Sequence, residues 1–123
     1  MKNKLILAAA TAVSMSALAA PSAPQATNRV MSQGDIVSLC KQKANPEVAG
    51  FCNGFGQGVY DAYLVTRHPK KAPSNICVQQ PAPQRQQVLD DYIVWAEKSP
   101  QYNDKPAAES ALRFLAHRFP CAK

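Results

Sequence analysis

The stretch Asn45-Pro-Glu-Val-Ala-Gly-Phe-Cys-Asn-Gly-Phe-Gly-Gln-Gly-Val-Tyr-Asp-Ala-Tyr-Leu-Val-Thr66 decides how the rest of the chain is read. It holds four of the five glycines in the sequence, yet it opens as a helix opens. Asn45 supplies a capping side chain, Pro46 a ring suited to the first helical position, and Glu47 an acid in the first turn. Sorted by fours, Gly50, Gly54, Gly58 and Ala62 make a stripe almost without side chains. Phe51, Phe55, Val59 and Tyr63 make an apolar stripe, with Cys52, Gly56, Tyr60 and Leu64 beside it. Only Asn53, Gln57 and Asp61 form a polar column. One polar stripe implies a helix covered on most sides, so the pattern predicts the central helix of a small bundle.

Each glycine in a helix interior costs roughly 1 kcal/mol relative to alanine, so the row needs a reason. The expectation is close packing at Gly50, Gly54 and Gly58, where a second helix backbone could approach and gain dispersion contacts. A phosphate cradle is the rival reading, but it needs the glycines in a loop after a strand, leading into a helix. No strand precedes this segment, and no Lys-Ser or Lys-Thr follows the glycines.

The chain of 123 residues has room for one domain. Its N-terminus reads as a leader: Met1-Lys-Asn-Lys4 is basic, Leu5 to Leu18 is apolar and small, and Ala17-Leu-Ala19 is a small-x-small cleavage signal. Residues 1–19 are therefore expected to be a signal peptide cut after Ala19, with export to the periplasm. Residues 20–31 form a flexible lead-in and residues 32–123 the domain. No later stretch is apolar and long enough to span a bilayer, so no membrane insertion is expected. Losing Lys2 and Lys4 takes the formal charge from +6 to +4. That mild excess suits an acidic partner surface and does not indicate nucleic acid.

Outward from the central helix, Ser32 or Gly34 can open a first helix with Ile36, Val37, Leu39 and Cys40 on one face. Residues 67–83 are irregular, with four prolines and the basic run Arg67-His68-Pro69-Lys70-Lys71. Residues 84–98 return to helical spacing through Val88, Leu89, Tyr92, Ile93, Trp95 and Ala96. Asn103 or Asp104 is expected to cap a last helix that has Pro106 in its first turn and buries Ala108, Ala111, Leu112, Leu115 and Phe119. No stretch alternates as a strand would. The fold class is all-α, a small bundle of about four helices.

Four cysteines, an even number in a small exported domain, point to two disulfides. Three connectivities are formally open, and the hairpin turns favour one. Cys40 and Cys52 are equidistant from the reversal at Pro46, and Cys77 and Cys121 from the one at Ser99. Antiparallel helices bring such positions to one height, so Cys40–Cys52 and Cys77–Cys121 would each staple a hairpin. No Cys-x-x-Cys pair suggests zinc, and no Ser, His and Asp set carries the glycines of a nucleophile elbow. The reading is accordingly non-enzymatic, with no catalytic residue, metal or cofactor. Arg67, His68, Lys70 and Lys71 form the best candidate for partner binding, because loops on a rigid scaffold often carry recognition. Tyr102 joins them as an expected exposed aromatic.

The run Phe51-Cys-Asn-Gly-Phe-Gly-Gln-Gly-Val-Tyr-Asp-Ala62 resembles a Phe-Cys-x-Gly-Tyr-x-x-Gly-x-x-Asp-Ala signature. Ile76-Cys77, Gln87, Tyr92, Ser99-Pro100, Pro106-Ala-Ala108, Ala111-Leu112 and Phe119-Pro-Cys121 follow in the matching order. Together they resemble the Rap/Tai family of immunity proteins. Phe55 stands where tyrosine is usual, and Val78-Gln79 where a proline is often nearer. The resemblance implies a small, helical, disulfide-bearing periplasmic protein, commonly a homodimer. It also implies an inhibitor that occludes a papain-like peptidoglycan amidase delivered by a type VI secretion system. The alternatives are a small periplasmic stress chaperone, and an enzyme acting on the wall itself.

Overall fold

The computed structural model describes residues 29–67 and 73–123. The expected signal peptide lies outside them, as do residues 20–28 of the lead-in and His68, Lys70 and Lys71. Four helices follow in order: α1 (Gln33–Cys40), α2 (Pro46–Thr66), α3 (Arg85–Glu97) and α4 (Ala107–Arg118), with a 3-10 turn at Pro100–Tyr102 before the last. Among the described residues there is no strand, only an isolated bridge between Ser32 and Pro106. The all-α bundle read from the sequence is the fold.

The caps explain where helices begin. Ser32 caps α1 with a full capping box: its hydroxyl accepts from Asp35 N (3.2 Å), while the Asp35 carboxylate accepts from Ser32 N (2.9 Å). Asn45 caps α2 by accepting from Glu47 N at 2.9 Å. The α4 start departs from expectation, because Asn103 is drawn elsewhere. Its side chain accepts from Gln33 Nε2 and its carbonyl from Gly34 N, both at 3.0 Å. Gln33 N donates to Lys105 O, and Ala107 N to Met31 O. Residues 103–107 thus pair with residues 31–34, and α4 begins after Pro106 rather than around it.

The core gathers Ile36 and Cys40 of α1, Cys52 of α2, Leu89, Tyr92, Ile93 and Ala96 of α3, and Ala107 and Phe114 of α4. Phe114 meets the Tyr92 ring edge-on at 5.5 Å and lies 5.8 Å from Trp95, so three aromatics fasten α3 to α4. A buried polar knot crosses this core. Ser110 Oγ donates to Gln33 Oε1, and Gln33 Nε2 donates to the Ser99 carbonyl at 3.0 Å. Ser110 has one hydroxyl proton, and Gln33 takes it. The 2.9 Å bond between Tyr92 and Ser110 therefore has Tyr92 as donor. Gln33 and Ser110 are both fully buried, and the knot ties α1, α3, the 3-10 turn and α4 into one register.

Both expected disulfides are present. Cys40–Cys52 joins α1 to α2. Cys77–Cys121 joins two segments outside the helices, and Cys77 N also donates to Phe119 O at 2.8 Å. The second hairpin is therefore closed by its flanking chain rather than by its helices.

The coverage expected for α2 is corrected. Cys52 is its only buried residue. The close-packing role given to Gly50, Gly54 and Gly58 is not met within one chain either, since a Cβ added at any of them would meet no atom within 4 Å. The helix lies against the bundle on its Cys52 side and turns the glycine stripe outward. Two further expectations in α4 shift the same way: Ala108 is exposed, and Phe114 takes the central buried place.

Candidate functional site

Helix α2 has 21 residues, much longer than its neighbours, and carries three of the five large hydrophobic residues left exposed among the described residues. Phe51 is 46% exposed, Leu64 45% and Val65 84%. Phe51 and Val65 share one side of the helix with Gly54, Gly58 and Ala62, while Leu64 is turned about a third of a turn away, in the column of Cys52. Phe51 stacks on Phe55 at a centroid distance of 6.3 Å, which fixes its ring against the helix. Beside this face a shallow groove between α2 and α4 is lined by Gly58, Val59, Ala62, Ala108 and Leu112 among others.

The remaining acids and bases mostly pair with each other across helices. Lys43 and Gln86 bind the Asp90 carboxylate, and the Lys43 bond, followed by that from Gln86, holds Asp90 below the usual carboxylate range. Lys41 pairs with Glu97, and Arg118 with Asp91 at 3.2 Å. Lys41 and Lys43, which follow α1, thus tie its end to α3. Among the described residues no cluster of His, Cys, Asp or Glu gathers that could hold a metal ion.

Of the residues expected to bind a partner, two are described. Arg67 follows the last turn of α2 and carries its guanidinium 5.6 Å from the Tyr63 ring centroid. Tyr63 is fixed in turn by Ser74, whose hydroxyl lies 3.2 Å from the phenol oxygen and is the main cause of a lowered Tyr63 pKa. Tyr102 is not the freely exposed aromatic that was expected. Its ring stacks on Trp95 at 5.8 Å, and Arg113 covers it at 5.2 Å. The 3-10 turn brings it back onto the bundle, a reversal that residue spacing does not signal.

Sequence reasoning missed a half-open cavity of about 330 Å3 between α2, α3, α4 and the segment from Val78 to Pro83. Its wall includes Phe55, Val88, Phe114 and Phe119, with Asn53 and Arg85 among its few polar residues. Asn53 was assigned to a polar column and Arg85 to the start of a helix; neither position indicates a shared cavity.

The family model described as Rap1a immunity proteins matches residues 32–121. No curated protein and no solved structure matches the chain. The matched span runs from the Ser32 cap of α1 to Cys121 of the second disulfide, and so takes in the whole helical domain.

Proposed function

This chain belongs to the Rap1a immunity protein family, and on that premise we propose that it is the periplasmic antidote to a peptidoglycan amidase delivered by a type VI secretion system. The family assignment carries the reading, because it spans the entire described bundle and immunity proteins act by binding an effector. The amidase as target comes from the resemblance noted above, in which papain-like enzymes with a Cys/His centre are the partners. Inhibition would be by occlusion, with no cofactor and no chemistry contributed by the chain.

Two disulfides support folding in an oxidising compartment, and the leader-like residues 1–19 support export to the periplasm. No described helix is long and apolar enough to cross a membrane. The outward face of α2 supports self-association of the mature chain. A second copy laid along Gly50, Gly54 and Gly58 would cover Phe51 and Val65, and the glycines would then take the close-packing role they lack in one chain.

The test is capture from an extract of the source organism with its secretion system active, using the oxidised protein from residue 20 onward as bait. Retention of a papain-like amidase in stoichiometric amount is the expected result. Retention of many unrelated unfolded proteins would instead favour the chaperone reading, and an amidase that passes through unretained would refute the proposal.

A further inference from the structure

The 330 Å3 cavity holds about eleven water-sized groups, at the lower end of the volumes that bind small ligands. Its wall is mostly aliphatic but includes five aromatic residues, Phe55, Tyr60 and Phe114 among them, and Gly56 lies on it. A Cβ at Gly56 would meet nothing within 4 Å, so the glycine leaves open a space that any larger residue would enter. A glycine at mid-helix is unfavourable for the helix itself, and here its structural consequence is an open cavity.

Two polar groups in this wall are unpaired and complement different atoms: Asn53 Oδ1, which is buried, and the Arg85 guanidinium, which is exposed at the rim. Asn53 Oδ1 is buried and accepts no hydrogen bond. Its orientation is set from outside the cavity. Asp90 accepts from Gln86 Nε2 at 3.1 Å, which turns Gln86 Oε1 towards α2, where it accepts from Asn53 Nδ2 at 3.3 Å. The amide is thereby left with its oxygen unmatched, and a buried acceptor without a donor is costly. Among the described residues, Arg85 is the only charged one in the lining. It is in none of the described ion pairs, which use other cations. It also opens α3, a helix with no side-chain cap and no acid in its first turn, so the positive helix end adds to its charge.

Resting on the immunity reading above, we propose that this cavity is the anchor site for the effector. It would take one aromatic side chain from an exposed segment of that protein. A main-chain N–H of the segment donates to Asn53 Oδ1, and a carboxylate next to the aromatic residue binds Arg85. The volume and rings select the aromatic group, the orphaned oxygen selects a donor, and the lone guanidinium selects an acid. Buried aromatic anchors of this kind commonly dominate the binding energy of protein interfaces.

The experiment is an NMR titration of the 15N-labelled, oxidised protein with four probes: acetyl-Trp-Asp-amide, acetyl-Trp-Asn-amide, acetyl-Ala-Asp-amide and sodium decanoate. Acetyl-Trp-Asp-amide should cause saturable shifts at the Asn53 side-chain amide and at Arg85 Nε, with a Kd of about 1 mM or tighter. Loss of the carboxylate should weaken binding by up to about fivefold, since Arg85 is exposed at the rim and an ion pair there is partly screened by water. The alanine peptide should not bind. Gly56→Leu, whose Cβ would meet no atom within 4 Å and whose side chain would occupy the cavity, should abolish the shifts, and Arg85→Glu at the rim should weaken them to the level of the uncharged peptide or below.

Equal binding to Gly56→Leu, or no shift at Asn53, would overturn the proposal. Decanoate binding at these residues with the peptides excluded would overturn it in favour of a lipid-like ligand. Failure of the immunity reading gives a different pattern: the peptide binds, yet wild type captures no effector, and the occupant named here is then wrong. Capture that survives both substitutions would instead move the effector contact elsewhere while leaving the immunity reading intact.

Discussion

Ser110→Ala is the substitution through which the buried polar knot can be measured. Ser110 is fully buried, donates to Gln33 Oε1 and accepts from Tyr92 at 2.9 Å. Alanine matches its shape, so no cavity and no clash follow. What remains is a buried amide oxygen with no donor and a buried phenol with no acceptor. Tyr92 is 6% exposed, so little water reaches its phenol, and this burial pushes the phenol pKa up against the effect of the Ser110 bond. Each stranded group costs about 1–3 kcal/mol, so Ser110→Ala should destabilise by about 2–4 kcal/mol after partial relaxation. In a domain of this size that lowers Tm by on the order of 10–25 °C. Tyr92→Phe is the matched control. It removes the donor and leaves Ser110 still bonded to Gln33, so it should cost only about 0.5–1.5 kcal/mol. Urea unfolding followed by far-UV circular dichroism gives both values. A Ser110→Ala cost below about 0.5 kcal/mol, or one smaller than that of Tyr92→Phe, would refute the donor assignment and the claim that the knot excludes water.

Asp35→Asn should destabilise the protein at neutral pH, with the difference fading in acid. The Ser32 backbone N–H first, then its hydroxyl and Arg29, hold the Asp35 carboxyl below its ordinary value. A depressed folded-state pKa gives stability that is full above about pH 5 and lost below about 3.9 as the group protonates; thermal melts from pH 7 to pH 2.5 will show whether the gap closes. Replacing Cys40 and Cys52 together by alanine should cost about 3 kcal/mol from chain entropy, and replacing Cys77 and Cys121 about 4, in the order of their loops of 12 and 44 residues. Equal midpoints for the two double variants in urea would contradict that ordering. Gly58→Ala should raise the stability of the monomer by up to about 1 kcal/mol, because nothing opposes the new methyl and alanine favours the helix. The same change should weaken self-association in sedimentation equilibrium if a second copy packs there; unaltered association would remove the glycine stripe from the dimer contact.

The helices, the caps of α1 and α2 and both cysteine pairs could be read because they follow from capping chemistry and from spacing about a turn. Ser32 and Asn45 act on residues two or three positions away, and the cysteine pairing follows from distance to a turn. What the sequence misjudged depends on which neighbour a face meets. The columns of α2 were sorted correctly, but periodicity does not state that its glycine side faces outward. Asn103 has the chemistry of a cap and was assigned as one, while the structure gives it to Gln33, 70 residues away. Tyr102 followed the same course: placed in a turn, it was expected to be exposed, and a 3-10 turn folded it onto Trp95. Asn53 and Arg85 became a site only when α2 and α3 were laid side by side. No property of either residue in the linear sequence marks that meeting.

The most direct test of the immunity account is an inhibition titration. The captured effector is purified, its release of soluble fragments from isolated peptidoglycan is followed, and the oxidised protein is added in steps. Cleavage should fall linearly and end at a fixed whole-number ratio of protein to effector, with no fragment released by the immunity protein alone. Undiminished cleavage at several-fold excess of folded, disulfide-bonded protein would contradict inhibition by occlusion.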